Sequence, residues 1–356
     1  MTLVGYGAAR LYGYSNARVK AMESKMLTKE FLRDIYKTDD IKVILAKLLQ
    51  TDYKPYIEEF GDINEREELL DFALRRSLAK TAEKVIAITP KEQRDIIIRI
   101  VSKWDLYNIK LVLSAKANGK SFESISKYIV SSENVSARVI KEAMGEANIE
   151  YAVGKLVLST PYRQILDIAL DTYRKTGNIT LVNAEIDKTF FSLLGEAIYR
   201  LSKLSYESAM VVKLDIEMRN VRTLLRAKKY NIKGSEVRDL LIPNGITNVD
   251  TLISNFDGAK DMRDLVASVK SFDLKDALTS YEANKYKQML IFEISMRNRI
   301  FEKVISTLKH SVLSFGTIVA YFYLKEIEIF ALRVIIKGKM YGLEESEINE
   351  MIRWAM

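Results

Sequence analysis

The chain has 356 residues, 48% of them hydrophobic, which suffices to bury one core or several small ones. It contains no cysteine and a single histidine, His310, which excludes disulfides, thiol nucleophiles and metal sites built from several Cys or His ligands. Its 55 Lys and Arg are mixed with 47 Asp and Glu to give a net charge of +8 without a basic run, so we expect no nucleic-acid partner and a basic bias suited to a membrane surface or an acidic protein.

Helix-period spacing of apolar residues dominates the chain. Only four prolines interrupt it, and there is no sustained apolar/polar alternation of the kind that strands show. We therefore predict an all-α protein. The first residues lack a charged segment followed by an apolar core, so we expect no secretory signal. The longest apolar stretch, from Ser311 to Leu324, has about 14 residues, fewer than the roughly 20 that span a bilayer, so we expect a soluble intracellular protein.

The first clear helix start lies at Thr89 and Pro90. Thr89 is a suitable N-cap, Pro90 suits the first helical position, and Glu92 stands where a capping box requires an acid. The apolar spacing predicts one continuous helix from there, through the segment Asp105–Lys116 (DLYNIKLVLSAK), to a cap at Gly119.

The segment Asp105–Lys116 recurs twice. Glu217–Lys228 (EMRNVRTLLRAK) and Glu328–Lys339 (EIFALRVIIKGK) repeat its pattern at intervals of about 112 residues, and self-similarity at a fixed period indicates one structural unit made several times. Apolar residues fall at i, i+3 and i+4 of each copy, which is one face of a helix. These positions are Ile109, Val112 and Leu113; Val221, Leu224 and Leu225; and Leu332, Ile335 and Ile336.

A left-handed cap and a second helix are predicted after each copy. Gly119, Asn231 and Gly342 follow the closing lysines, and Gly and Asn most readily take the left-handed conformation that ends a helix. Apolar pairs one turn apart then predict another helix: Ile125 and Ile129, Val237 and Leu241, Ile348 and Ile352. A fainter similarity lies upstream of the copies, beginning at Ile41, Ile149 and Met262.

The repeats divide the chain into three predicted helical units, residues 1–132, 133–244 and 245–356. The polar segment 131–136 and the loop at Pro243–Gly245 mark the joints between them. Three similar units can stack as an open rod, or they can close into a ring if each step rotates by about 120°. The sequence alone is compatible with both.

Each copy also carries an acid five residues before a base. The acids are Asp105, Glu217 and Glu328, and the bases are Lys110, Arg222 and Arg333. Neighbours on a helix face lie three or four residues apart, so this spacing does not make a pair within one helix. Two interpretations stay open: the charges meet partners on other helices or units, or they are solvated surface residues.

No constellation of catalytic residues is recognisable. Gly5 to Gly7 lacks the spacing of a phosphate loop, and no Gly-x-Ser-x-Gly elbow occurs. Adjacent acids such as Glu344 and Glu345, or Glu67 and Glu68, point apart on a helix. We therefore predict that the chain is not an enzyme, with no catalytic, cofactor-binding or metal-binding residues and no small-molecule substrate.

Four segments together form a specific pattern: Tyr6–Arg10 (YGAAR), Ser15–Leu27 (SNARVKAMESKML), Asp105–Lys110 (DLYNIK) and Glu217–Lys228. This pattern resembles the family of C subunits of archaeal and bacterial A/V-type ATP synthases, to which the d subunit of eukaryotic vacuolar ATPases is related. The resemblance extends over essentially the whole chain. The third copy departs from it, because Ala331 stands where the others have Asn108 and Asn220.

The resemblance implies three similar helical bundles around a pseudo-threefold axis, shaped like a funnel. It also implies a non-catalytic socket on the cytoplasmic end of the membrane rotor ring, which holds the tip of the central shaft and transmits torque for ATP synthesis or ion pumping. The implied partners are the central shaft subunits and the c-type subunits of the ring, with peripheral contact to the membrane sector. The residues alone also allow a generic helical-repeat scaffold for some other protein.

Overall fold

The computed structural model describes residues 3–61, 65–130, 132, 134–283, 289–311 and 313–352. These residues form α-helices and connecting loops with no β-strand among them, which confirms the predicted all-α class. None of the helices in these ranges is both long enough and apolar enough to cross a membrane. The helices, in chain order, are α1 (Leu3–Glu23), α2 (Lys29–Tyr36), α3 (Ile41–Leu48), α4 (Lys54–Glu59), α5 (Arg66–Ile88), α6 (Arg94–Val101), α7 (Lys103–Ala117), α8 (Phe122–Ser126), α9 (Ala137–Gly145), α10 (Ile149–Ser159), α11 (Arg163–Thr176), α12 (Ile179–Leu204), α13 (Tyr206–Lys229), α14 (Gly234–Arg238), α15 (Val249–Gly258), α16 (Met262–Ser268), α17 (Lys275–Ala283), α18 (Leu290–His310), α19 (Phe315–Met340) and α20 (Glu345–Ile352).

The chain forms two compact bodies. Body 1 consists of Met1–Trp104, Glu123–Glu133 and Val304–Met356, and body 2 consists of Asp105–Phe122 and Asn134–Lys303. The third copy of the repeat therefore lies in body 1 together with the N-terminal helices, and the first two copies lie in body 2. The division into three units at 132 and 244 stays a prediction.

Helix α19 is central to body 1. Every residue from Phe315 to Tyr323 is buried, so this part of the longest apolar stretch lies in a core helix enclosed on all sides. It packs against α1, α2, α5 and α20. Asn16 of α1 fixes the start of this helix, since its Nδ2 donates to the carbonyl of Ser314 at 3.0 Å.

Body 2 is built from consecutive helices that pack against one another, with contacts between α9 and α10, α10 and α11, α11 and α12, and α12 and α13. Local sequence starts several of these helices, because a side chain before the first turn accepts a hydrogen bond from an otherwise unpaired backbone N–H. The capping residues are Ser136, Asn148, Asn178 and Ser205.

The left-handed caps form after all three copies, as predicted. Gly119, Asn231 and Gly342 have φ angles of 63°, 53° and 65°. In each case the next backbone N–H reaches back to a helix carbonyl at 2.9 Å, which is the bond of a Schellman motif. These bonds run from Lys120 to Ala115, from Ile232 to Ala227, and from Leu343 to Gly338.

A Gly119→Ala variant should lose about 1 kcal/mol of folding free energy, because a Cβ disfavours the left-handed conformation. Gly154→Ala is the matched control within body 2. Gly154 lies inside α10, has no positive φ, and would place its Cβ in open space, so the change should stabilise the protein by about 0.5 kcal/mol. Urea unfolding followed by circular dichroism measures both effects, and equal signs for the two variants would contradict the prediction.

The predicted continuous helix after Thr89 is broken, and Thr89 does not cap it. The Thr89 hydroxyl donates instead to the carbonyl of Val85 at 2.6 Å, at the end of α5. Ser102 separates α6 from α7, and its hydroxyl donates to the carbonyl of Ile98 at 2.7 Å. A serine that bonds back to the preceding turn bends a helix, which accounts for the interruption.

The short helices after the caps form, but two of them end earlier than predicted. Helices α8 and α14 contain Ile125 and Val237, whereas Ile129 and Leu241 lie beyond their ends. All four side chains are nevertheless buried. Helix α20 contains both of its predicted apolar residues.

Candidate functional site: the charged faces of the repeated helices

The leading acid of the second copy, Glu217, is buried and joins α13 to two other segments. Its Oε2 accepts from the backbone N–H groups of Ile246 at 3.0 Å and Thr247 at 3.1 Å. Its Oε1 accepts from the hydroxyls of Thr247 at 2.6 Å and Ser271 at 3.2 Å. With its oxygens occupied by donors from the same chain, this carboxylate acts as a structural fastening.

Glu328 of the third copy is fastened in the same way within body 1. Its Oε2 accepts from the backbone N–H of Leu27 at 2.7 Å. Its Oε1 accepts from the hydroxyl of Tyr53 and the ammonium of Lys325, both at 2.6 Å. The Lys325 ammonium also lies 4.2 Å from the centre of the Tyr53 ring. Helix α19 is thereby tied to the segments that flank α2 and α3.

Asp105 of the first copy accepts from the hydroxyl of Tyr162 and from Nδ2 of Asn134. These partners lie 57 and 29 residues further along the chain, and those of Glu217 include Ser271 and Thr247, 54 and 30 residues further along. Apart from Lys325 on the same helix, the partners of Glu328 described above lie 301 and 275 residues before it, near the N-terminus. Of the two interpretations of the repeated acids, the correct one is that they bind partners on other segments of the chain.

Tyr53 should contribute to the alkaline limit of stability in body 1. Burial raises the pKa of Tyr53 well above the ordinary value of 10.0, and the charge and hydrogen bond of Glu328 raise it further. An unfolded chain loses the Tyr proton near pH 10, whereas folded Tyr53 keeps it. The stability that Tyr53 contributes is therefore fully present below pH 10 and is lost as the pH rises towards its folded pKa, by about 1.4 kcal/mol per pH unit.

We expect Tyr53→Phe to remove about one proton from the pH dependence of the unfolding free energy above pH 10. Urea unfolding of wild type and variant at a series of pH values measures this slope. At pH 7 the same variant reports only the lost hydrogen bond to Glu328, which provides the internal control. Parallel slopes for the two proteins above pH 10 would contradict the prediction.

The repeated bases also pair across helices. The pairs are Lys110 with Asp187 of α12 at 2.6 Å, Arg222 with Glu293 of α18 at 3.7 Å, and Arg333 with Asp71 of α5 at 2.8 Å. Each base thus meets a carboxylate on a long helix other than its own. Sequence patterns alone did not identify these acids, which stand 116 and 106 residues apart and so only approximate the interval between the copies.

The closing lysines hold the ends of neighbouring segments. Lys116 donates to the carbonyls of Met144 and Glu146 at the end of α9, and Lys228 donates to those of Phe256 and Ala259 at the end of α15. A cation in this position satisfies terminal carbonyls and complements the helix dipole. The third copy differs, because Lys339 meets the carboxylates of Asp39 at 2.6 Å and Glu345 at 3.5 Å.

A group of basic side chains lies on the second copy and its neighbours in body 2. Arg219, Arg222 and Arg226 follow one face of α13, and Arg297 of α18 and Lys110 of α7 lie nearby; we call these side chains the basic cluster. Burial lowers the pKa of Arg222, and the charges of the other arginines lower it further against the opposing effect of its acidic partner. The cations of the cluster therefore repel one another electrostatically.

The arginines of the cluster affect the pKa values of both Lys110 and Glu293. Burial lowers the pKa of Lys110, and the nearby arginines reinforce this shift while Asp187 opposes it. Burial alone would raise the pKa of Glu293, but the charges of Arg297 and Arg222 outweigh it, and the pKa is lowered. The lowered pKa of Glu293 indicates a positive potential from these arginines, whereas the shift of Lys110 is due first to burial.

Over the described ranges, no group of three or more His, Cys, Asp or Glu side chains could hold a metal ion. His310 is exposed in the last turn of α18, with its Nδ1 2.8 Å from the carbonyl of Ser306. Of the adjacent acids, Glu68 pairs with Lys127 at 3.0 Å. The repeated charged residues either hold neighbouring helices together or belong to the basic cluster. This arrangement is typical of a binding surface on a stiff scaffold.

Comparison with known proteins identifies the family. The model of the ATP synthase (C/AC39) subunit family matches residues 15–351. The chain is 29% identical to the A-type ATP synthase C subunit of Desulfurococcus sp. (strain SY), over 98% of this chain and 94% of the relative. The same-named proteins of Thermococcus onnurineus and Methanocaldococcus jannaschii are 28% and 24% identical, over 99% and 96% of this chain and 94% and 86% of their own. The chain, including all three copies of the repeat, therefore belongs to the ATP synthase (C/AC39) subunit family.

Proposed function

We propose that the protein is a non-catalytic central-stalk subunit of a rotary A/V-type ATP synthase or ATPase. In this role it is a socket that links the tip of the central shaft to the membrane rotor ring and transmits torque for ATP synthesis or ion pumping. The observation that carries the proposal is the match of nearly the whole chain, over nearly the whole relative, to C subunits of A-type ATP synthases.

The proposed partners are the central shaft subunits and the c-type subunits of the ring. The protein lies at the cytoplasmic face of the cell membrane as a peripheral part of the complex. It requires no cofactor, metal, small-molecule substrate or nucleic acid for this task, because torque passes through contact surfaces.

The proposed architecture has three units, residues 1–132, 133–244 and 245–356, around a pseudo-threefold axis, with the funnel form that the family resemblance implies. The support is that every repeated helix has a buried acid held by another segment, a base paired with another long helix, and a left-handed cap. In a closed arrangement of three units, the acid of each unit binds residues of the next unit, and the acid of the last unit binds residues of the first. Glu328 fits this arrangement, because it binds Leu27 and Tyr53 of the first unit.

A torque-transmitting part must resist bending, and the helices support this requirement. Helices α12, α13 and α19 have 26, 24 and 26 residues. The repeated helices are held by the leading acid, by the base of the pair, and by the closing lysine. Fastening at several points along a long helix limits bending more than contact at one end.

Binding to isolated partners tests the proposal. The protein is immobilised and exposed separately to purified shaft subunits and to the detergent-solubilised rotor ring, and retention of both is expected. A circular dichroism spectrum of the immobilisation stock confirms that it is helical. If the helical protein retains neither partner, the rotor function is wrong and a scaffold for a different protein becomes the better explanation.

A further inference from the structure

Three carboxylates form ion pairs with four of the five cations of the basic cluster. These pairs join Lys110 to Asp187 and Arg219 to Asp215, and they join both Arg222 and Arg297 to one acid, Glu293. Arg226 adds an exposed cation at the next turn of α13. The cluster together with these acids therefore carries a net positive charge.

The arginines of the cluster lie further out than their acids. The Arg222 side chain is 35% exposed and Glu293 is 17% exposed, and the Arg219 side chain is 27% exposed against 10% for Asp215. Solvent thus meets guanidinium groups with carboxylates beneath them. The Arg222–Glu293 and Arg219–Asp215 separations are both 3.7 Å, longer than the 3.0 Å between Arg297 and the same Glu293, so Arg222 is only partly neutralised.

This surface is particular to the second copy. The places of Arg219 and Arg226 are taken by Tyr107 and Ser114 in the first copy and by Phe330 and Lys337 in the third. A requirement of the helix fold would appear in all copies, because all three form the same helix and cap. Arg219 and Arg226 therefore need an explanation outside the shared architecture, whereas Arg222 stands at the repeated base position.

We propose that the basic cluster is the docking point for a carboxylate-rich segment of a protein partner. The identification of this partner as the central shaft rests on the proposed function. Guanidinium groups bind carboxylates through two parallel hydrogen bonds, and Arg222 and Arg226 are one turn apart on α13. These two guanidinium groups can each bind one carboxylate of an acidic helix end or loop.

A phosphate polymer or an anionic lipid surface fits this cluster less well. Asp187, Asp215 and Glu293 are interspersed with the cations and would repel closely spaced phosphates. Nucleic-acid and membrane surfaces select continuous basic tracks. A partner with a few positioned carboxylates can place each one over an arginine.

The local electrostatics favour such an occupant. Burial lowers the pKa values of Lys110 and Arg222, and neighbouring cations reinforce both shifts. Added carboxylates would offset this repulsion, so docking should weaken steeply with salt.

The test compares Arg222→Gln/Arg226→Gln with a control of equal charge loss, Arg138→Gln/Lys175→Gln, on exposed positions of α9 and α11 in the same body. Binding of purified shaft subunits and of a polyglutamate peptide is measured by interferometry at low and high salt. Phosphatidylglycerol vesicles and single-stranded DNA serve as counter-probes. We expect the cluster variant to bind both acidic probes about tenfold more weakly and the control within about twofold of wild type.

Arg226→Gln alone guards against a folding defect, because it changes only an exposed side chain, and it should weaken binding in the same direction. If shaft subunits bind wild type and all variants equally, the cluster is not the docking point, and the proposed function stands. If wild type does not bind the shaft, the proposed function fails, and the polyglutamate measurement then tests the docking proposal by itself. Weaker polyglutamate binding by the cluster variant supports the docking proposal. Equal polyglutamate binding by wild type and variant, or no binding at all, overturns it. Cluster-dependent binding of vesicles or DNA without polyglutamate binding also overturns it.

Discussion

A Glu217→Leu variant is expected to lose about 3 kcal/mol of folding free energy, because the partly buried donors that the carboxylate holds would keep no acceptor. The donors are the N–H groups of Ile246 and Thr247 and the hydroxyls of Thr247 and Ser271. The loop passes close to the Glu217 carboxylate. A Cβ at Gly245 would lie 2.6 Å from the Glu217 Oε2.

Glu217→Gln should lose less, about 1–2 kcal/mol. The amide oxygen can face the two backbone N–H groups, and the amide NH₂ can face the hydroxyls of Thr247 and Ser271, which can rotate to accept. Glu196→Leu, at an exposed position of α12 in the same body, is the control and should change stability by less than about 0.5 kcal/mol. Urea unfolding gives all three values. Equal losses for the Leu and Gln variants would show that the hydrogen bonds do not hold the loop.

Removal of the cation beside Glu328 should be as damaging in body 1. In Lys325→Met the carboxylate keeps Leu27 and Tyr53 as donors but loses its ion pair with Lys325, which is buried and 2.6 Å long. Breaking one side of a buried pair leaves an uncompensated charge, and we expect a loss of about 3–5 kcal/mol. The loss is measured by urea or thermal unfolding.

A double-mutant cycle separates this effect from lost packing. Lys325→Met/Glu328→Gln has neither charge of this buried pair, so it should be more stable than Lys325→Met alone. Lys54→Met is the matched control, because Lys54 and Glu58 form an exposed pair 3.8 Å apart on α4, and surface pairs contribute little. A double variant that is no better than the single one would mean that Lys325 contributes through contact area and not through charge.

The three copies share the buried contacts that hold their helices but differ in their exposed side chains. We therefore expect the shared residues to maintain the fold and the residues particular to one copy to bind a partner. The buried acids and the left-handed caps recur wherever the helix recurs. The arginine face occurs on the second copy only. Substitutions at Glu217 or Glu328 should therefore lower stability, whereas a substitution at the exposed Arg226 should lower partner binding with little change in stability.

Several features could be determined from the sequence because they depend on neighbours along the chain. The apolar spacing predicts helices, and glycine or asparagine after the closing lysine predicts the left-handed caps, since only local backbone preferences are involved. The repeat interval and the family resemblance are properties of residue order alone. The helix break at Ser102 was missed because a serine inside a helix bends it only when its hydroxyl turns back to the preceding carbonyl.

The partners of the repeated charges were decided by the tertiary structure alone. An acid and a base five residues apart on a helix point in different directions, so each must find its partner on whichever segment packs there. For Glu328 those segments lie at the other end of the chain, at Leu27 and Tyr53. The sequence by itself thus determined the helices, their caps and the repetition, which follow from local conformation, whereas the fastening of the repeated helices and the exposed arginine face of α13 depend on how distant helices pack.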